Sequence, residues 1–208
     1  MKDNAIIITV FFIGCLVGWS GIAPEAIKEN NPAIYILYAL MFQVGISIGS
    51  DKNLKPMVKS LRLKMLLLPL STILGTLLFS ALISIVLTRW TVFDCLAVGS
   101  GFAYYSLSSI LITELKGASL GVQVAAELGT IALLANIMRE MMALLGTPLL
   151  ARFFGRFAPI SAAGVNSMDV ILPTITKYTG KDMTTFAIFH GILVDMSVPF
   201  FVTLFCTL

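Results

Sequence analysis

Charge is what this chain has least of. Only 12% of its 208 residues are charged, about half the share of an ordinary soluble domain, which is roughly 25%. A hydrophobic content of 58% and a mean hydropathy of +0.95 go with it. A soluble globular fold is excluded, and the chain is placed in a bilayer. Cysteine is also scarce. Cys15, Cys95 and Cys206 are odd in number and far apart, so neither a disulfide framework nor a metal-ligand spacing is present. They read as small buried hydrophobes. There is one histidine, His190. No HExxH run and no phosphate-binding loop occurs, and no serine has a histidine and an acid at nucleophile-type spacing. The sequence therefore predicts no enzyme, no cofactor and no bound metal.

What is present is apolar run after apolar run. A membrane-spanning helix takes about 20 such residues, so the length allows about five to seven membrane segments. The expectation is an all-α, polytopic integral membrane protein, with residues 1–208 forming a single membrane domain and no separate soluble one. Lys2 followed by apolar residues 5–17 has the outline of a secretory signal. The rest of the chain is equally apolar, so residues 4–19 are read as a first membrane helix. Residues 20–32, punctuated by Gly21, Pro24 and Pro32, form a loop, and a second helix covers 33–48. A basic loop, 50–64, holds Lys52, Lys55, Lys59, Arg62 and Lys64. Such a run is better explained as a cytoplasmic loop than as a nucleic-acid surface. A third helix over 65–87 ends at the interfacial pair Arg89 and Trp90. Residues 94–113 come next, then a short loop over 114–121 that contains Lys116. A long segment spans 122–150. A polar, proline-containing stretch covers 152–181, and a last helix begins at Met183.

Two of these segments are wrong for an ordinary membrane helix. Residues 98–113, VGSGFAYYSLSSILIT, hold Gly99, Gly101, Ser100, Ser106, Ser108, Ser109, Tyr104 and Tyr105. A helix that satisfies its own backbone needs none of these, whereas a broken helix that opens its backbone to a solute does. Residues 164–178, with Asn166, Ser167, Asp169 and Pro173, have the same character, and their apolar part is too short to span alone. Both read as broken or re-entrant segments. If both re-enter, one face collects Lys2, the five basic-loop residues, Arg152, Arg156, Lys177 and Lys181. The other face collects Lys28, Arg89 and Lys116. If both span, the asymmetry weakens slightly. Either count puts the N-terminus inside and the C-terminus outside. Broken segments that enter from opposite faces would suit an inverted arrangement around a midplane site.

The membrane-depth polar residues are the candidates for chemistry. Asn136, Arg139 and Glu140 fall on one face of a helix by their spacing. Arg139 is far from either end of its apolar segment, so its charge must be paired, with Glu140 for instance, or face a cavity. Asp169 in a broken segment is a candidate cation ligand, or a first-turn acid favoured by the helix dipole, and Ser167 or Asn166 is positioned to cap a half-helix. His190 has a reference pKa of about 6.5, which suits a proton acceptor. Asp195 lies five positions later, about 140° around a helix, so the two need not touch. Glu127, Asp51 and Asp94 read as interfacial charges.

The runs GSGFAYYSLSSILITELKG, ANIMREMMALLGTPLL, GVNSMDVILPTITKYTG and FAIFHGILVDMSVPFF, in this order, resemble the LysO-type lysine exporter family of bacterial inner membranes over essentially the whole chain. The resemblance implies export of L-lysine and of toxic lysine analogues. Many members carry an additional N-terminal set of helices, and this chain resembles the C-terminal part. A small companion membrane subunit or a homodimer would then complete the transporter. A lysine zwitterion with its extra ammonium suits the residues present. Gly101, Ser106, Ser108 or Arg139 would take its carboxylate. Glu140 and Asp169 would take its ammonium groups, and Tyr104 or Tyr105 would offer a cation–π face. Asn136, Asn166 and Ser167 complete the expected substrate site, with Glu140, Asp169 and His190 as candidates for proton coupling by antiport. The alternatives are an exchanger for another small ion or metabolite, and a non-transporting membrane subunit of a split transporter.

Overall fold

The computed structural model describes residues 63–208 continuously, and before them the isolated helical positions 13, 16, 17, 20, 39, 42 and 46. The expected first two helices and the basic loop up to Arg62 lie outside the described residues. The chain divides into units Met1–Gln43 and Val44–Leu208, and the continuous run of helices belongs to the second.

Every described element is helical. The α-helices are α1 (Leu63–Ile83), α2 (Val92–Gly99), α3 (Tyr105–Leu120), α4 (Val122–Phe154), α5 (Ala158–Ala163), α6 (Leu172–Thr179) and α7 (Thr184–Thr207), with 3-10 turns at Gly164–Met168 and Lys181–Met183. Among the described residues, three helical stretches are long and apolar enough to cross a membrane: Met65–Ile83, Val122–Phe154 and Lys181–Thr207. Their outer faces carry exposed Leu70, Leu74, Phe79, Met142, Leu145 and Phe200, the apolar exterior that lipid requires. Small residues line the helix contacts. A Cβ on Gly129 would meet the Thr113 side chain and the Ser109 carbonyl, so this glycine sets how closely α3 and α4 approach.

The expected loop over 114–121 is not formed. Helix α3 runs through Glu114 and Lys116 to Leu120, and Gly121, with φ of +81°, makes the break alone. The reason is electrostatic. Lys116 Nζ lies 3.0 Å from Asp94 Oδ1, and both side chains are buried, so a lysine that looked like a loop residue is neutralised inside the fold. Asp94 is accordingly a buried, paired charge. It also closes a capping box on α2. The Asp94 backbone N–H donates to the Thr91 hydroxyl at 3.1 Å, and the Thr91 N–H donates to Asp94 Oδ2 at 3.0 Å.

That ion pair decides the topology. Helix α2 has 8 residues and α3 has 16. At 1.5 Å per residue they are about 12 Å and 24 Å long, each short of the roughly 30 Å hydrocarbon core. For the first turn of α2 to reach the later turns of α3, the chain must fold back on itself. Residues 92–120 therefore form a helical hairpin whose tip is the non-helical stretch 100–104. The second polar segment does the same. Arg156, just before α5, donates from Nε to the Thr179 carbonyl at 2.6 Å and pairs with Asp182, which ties the two ends of residues 156–182 together and leaves Gly164–Ile171 as the tip. Helix α4, 33 residues long, runs from the base of the first hairpin to the base of the second. The hairpins thus enter from opposite ends. Arg89 pairs with Glu127, joining the far end of α1 to the start of α4 at the first base.

Helix α7 packs against both hairpins. Beneath the second, Ala143, Ile160, Ala163, Ile171, Ile175, Met183 and Ala187 form a buried apolar cluster.

Lys116→Met should leave Asp94 buried without its counter-charge and cost about 3 kcal/mol. Adding Asp94→Asn should restore most of that. Thermal unfolding of the two purified variants in detergent checks it, and equal melting of both would refute the pairing.

Candidate functional site

The two tips meet. At the first, Phe102 and Ala103 have φ of +43° and +75°, a left-handed conformation that is costly for residues with a side chain. It turns the Phe102 and Ala103 carbonyls out of the helix. The Val165 N–H of the second tip donates to the Phe102 carbonyl at 2.9 Å, and the Asn166 side-chain amide donates to the Ala103 carbonyl at 3.4 Å. Gly164 makes this approach possible. Its φ is +60°, and a Cβ there would run into the Phe102 carbonyl oxygen.

Asn136, buried near the middle of α4, closes the first tip from the other side. Its Oδ1 accepts the Ala103 N–H at 2.8 Å. Its Nδ2 donates to the carbonyls of Val98 (3.2 Å) and Ala132 (2.9 Å). Gly101 is required here, because a Cβ would strike the Asn136 amide and the Ser108 hydroxyl. One turn further along α4, Arg139 serves the second hairpin. Its Nε donates to the Ala162 carbonyl (3.1 Å), one terminal nitrogen to the Ser161 carbonyl (3.2 Å), and the other to the Thr76 hydroxyl of α1 (3.2 Å). These carbonyls lie at the C-terminal end of α5, where a cation is favoured by the helix dipole, and that of Ser161 also accepts the Gly164 N–H. The guanidinium also lies 5.9 Å from the Phe102 ring centroid.

Arg139 is not paired with Glu140. No carboxylate among the described residues lies within ion-pair distance of it. Adjacent helical residues diverge by about 100°, so Glu140 points elsewhere. Two cavities converge on Arg139. One, of about 260 Å³, runs from Leu87 and Trp90 to Asn136. The other, of about 970 Å³, is lined by Ser71, Gly146, Leu150 and Ser161.

A second polar set lies behind the second tip. His190 is fully buried, with Nδ1 at 3.0 Å from the Ser167 hydroxyl and Nε2 at 2.9 Å from the Thr72 hydroxyl, which in turn lies 2.7 Å from the Ser161 hydroxyl. Ser167 donates to the Ala187 carbonyl at 2.9 Å, so its oxygen is free to accept the Nδ1 proton. The Thr72 hydroxyl also lies 3.0 Å from the Leu68 carbonyl, so its single proton is shared between that oxygen, Nε2 and Ser161.

The remaining expected site residues are distributed more loosely. Ser108 is buried and bonds back to the Tyr104 carbonyl at 2.9 Å. Tyr104 is half-buried at the first tip, while Tyr105, Ser106 and Asp169 are exposed and Glu140 is half-buried. The structure thus brings Gly101, Ser108, Asn136, Arg139 and Asn166 together at the tips and joins Ser167 to His190. It does not bring Tyr105, Ser106, Glu140 or Asp169 into that network. Neither Asn166 nor Ser167 caps a half-helix. Helix α6 begins at Leu172 with no side-chain cap, because both side chains are committed to other elements. Sequence reasoning missed Thr72, Thr76 and Ser161, hydroxyls in unexceptional helical runs, and the tip carbonyls, which no side chain announces.

The family profile described as lysine exporter LysO matches residues 8–206. The chain belongs to the lysine exporter LysO family. It is 30% identical over 201 residues to the lysine exporter LysO of Escherichia coli (strain K12), covering 94% of this chain and 62% of that protein. It is 27% identical over 203 residues to a putative lysine exporter of Haemophilus influenzae, covering 96% of each. The chain therefore spans about three fifths of the first relative's length and nearly all of the second's. No solved structure matches. The opposed hairpins are thus the architecture of a LysO-family chain, and the family's name points to a multi-pass membrane transporter rather than an enzyme.

Gly164→Ala should force the tips apart and destabilise this LysO-family protein by about 1–3 kcal/mol. Gly117→Ala, where nothing lies within 4 Å of the added Cβ, should be neutral or slightly stabilising. Melting temperatures of both in detergent test the tip contact, and equal effects would contradict it.

Proposed function

We propose that this chain exports L-lysine, and toxic lysine analogues, across the bacterial inner membrane in exchange for protons, at a midplane site where the two hairpin tips meet. The observation that carries this reading is the contact between backbone from opposed re-entrant hairpins beside Asn136 and Arg139. Irregular backbone at membrane depth is tolerated where it is buried in protein or lines a solute path.

Arg139 is the anchor for the substrate carboxylate. Its charge has no acid partner among the described residues, and cavities from both directions end on it. Gly101 and Ser108 lie beside Asn136 at the first tip and complete the substrate site. Glu140 and Asp169 likewise pair with no basic residue among the described ones. They serve the ammonium groups and exchange them for protons, and Tyr104 or Tyr105 offers a cation–π face. His190, held between two hydroxyls, belongs to the proton-coupling group.

Exporting a cation against a negative-inside potential costs about 2.3 kcal/mol per charge per 100 mV, so a counter-ion must contribute, and a proton is the simplest. The basic residues support an orientation. Lys64 at the start of α1, Arg152, Arg156, Lys177 and Lys181 share the base of the second hairpin, whereas Arg89 and Lys116 lie at the base of the first. The second hairpin then enters from the cytoplasm, and α7 ends outside.

Lysine-loaded proteoliposomes holding the purified chain should release lysine and take up protons as they do so. Lysine release without a pH change would remove the coupling. Release of another metabolite in place of lysine would redirect the substrate. Flux restored only by adding a small companion membrane protein would make this chain one part of a split transporter. Arg139→Gln should abolish lysine flux at equal protein incorporation.

A further inference from the structure

One buried carboxylate belongs to neither hairpin's network of bonds. Asp195 is 5% exposed, and its Oδ1 has no hydrogen-bond donor among the described residues. It is the twelfth of the 24 residues of α7, about 17 Å in from Thr184, which is the depth of the hairpin tips. No ion pair among the described residues reaches it. The buried Lys116 is committed to Asp94, near Cys206 at the far end of α7. Arg139 donates to the α5 carbonyls and the Thr76 hydroxyl, and His190 contacts Ser167 and Thr72. At the other end of α7, Lys177 lies over Tyr178, and Asp182 is paired with Arg156. Among the described residues, the titratable side chain that bears on Asp195 is Tyr104, at the first tip, and a phenol supplies no positive charge.

An ionised carboxylate at this depth, without a cation or a full set of donors, would cost several kcal/mol. Buried charges of that kind are paired or neutralised. We infer that Asp195 is held as a neutral carboxylic acid in the resting protein and is a proton carrier of the exchange cycle, acting at the first hairpin tip beside Tyr104. The step is a plain proton transfer. The Asp195 O–H bond breaks and its proton leaves to water on the cytoplasmic side. The carboxylate left behind is balanced by a cation at the tip, and a proton from the outer side restores the acid when that cation departs. This rests on the proposed exchange of lysine for protons. It adds Asp195 to the candidate carriers Glu140, Asp169 and His190.

The test uses the full chain in lipid vesicles and two readouts. Infrared spectroscopy at neutral pH should show a protonated-carboxyl stretching band in the wild type. Asp195→Asn should lose the band and Asp195→Glu should shift it. This readout needs no substrate, so it stands whether or not lysine is exported. In flux assays, Asp195→Asn should lose lysine release driven by a pH gradient while keeping lysine–lysine counterflow, which moves no net protons. A band unchanged in both variants overturns the neutral acid. Gradient-driven release at the wild-type rate in Asp195→Asn overturns the carrier role, and loss of counterflow as well reassigns Asp195 to substrate binding. Should Asp195→Asn fail to fold, the band shift in Asp195→Glu decides the protonation state. If the wild type moves no lysine, the proposed function fails, and the infrared result still stands on its own.

Discussion

Backbone polar groups at membrane depth cannot be left to water, and the centre of this protein is built on that constraint. Two hairpins end where no helix continues, each with carbonyls and amides that would cost several kcal/mol apiece if stranded in hydrocarbon. They satisfy one another. Phe102 accepts from Val165 and Ala103 from Asn166, while Asn136 takes the Ala103 N–H and Arg139 takes the carbonyls that end α5. One long helix supplies both side chains, one turn apart. Neither tip is satisfied without the other, and the placement of α4 between them follows from the same requirement.

The bases of the hairpins are held differently from the tips. The first is pinned by a buried ion pair, Asp94–Lys116, reinforced by the capping box, and the second by the exposed Arg156–Asp182 pair and the Arg156–Thr179 contact. An exposed pair is worth little, whereas separating a buried one strands two charges. The two hairpins are therefore not equally fastened, although their tips are symmetric partners.

Much of this was legible in residue types. Glycines, serines and tyrosines in an apolar run marked the first break, and Asn166, Ser167 and Pro173 marked the second. The α4 and α7 boundaries lie within a few residues of the hydrophobic pattern because lipid exposure imposes that pattern directly. What escaped is whatever depends on contacts distant in sequence. Lys116 looked like a loop residue because nothing adjacent announces Asp94. Glu140 looked like the partner of Arg139 because sequence proximity suggests pairing, while the helix turns them apart. Thr72 and Ser161, which complete the His190 contacts, are ordinary hydroxyls until folding brings α1, α5 and α7 together. Asp195 was one acid among several, and only its surroundings set it apart.

Phe102 and Ala103 hold left-handed backbone conformations that residues with side chains adopt at a cost of order 1 kcal/mol or more each. Part of that cost is offset within the hairpin, where the Tyr104 N–H donates to the Gly101 carbonyl across the turn, and part by the bond from the Ala103 N–H to Asn136. The rest comes from the second hairpin, through the Val165 and Asn166 bonds, which exist only while the tips touch. Withdrawal of the second tip would free the Phe102 and Ala103 carbonyls and remove that share of the support for the left-handed turn. Contact between the hairpins and backbone direction at the first tip are in this way linked.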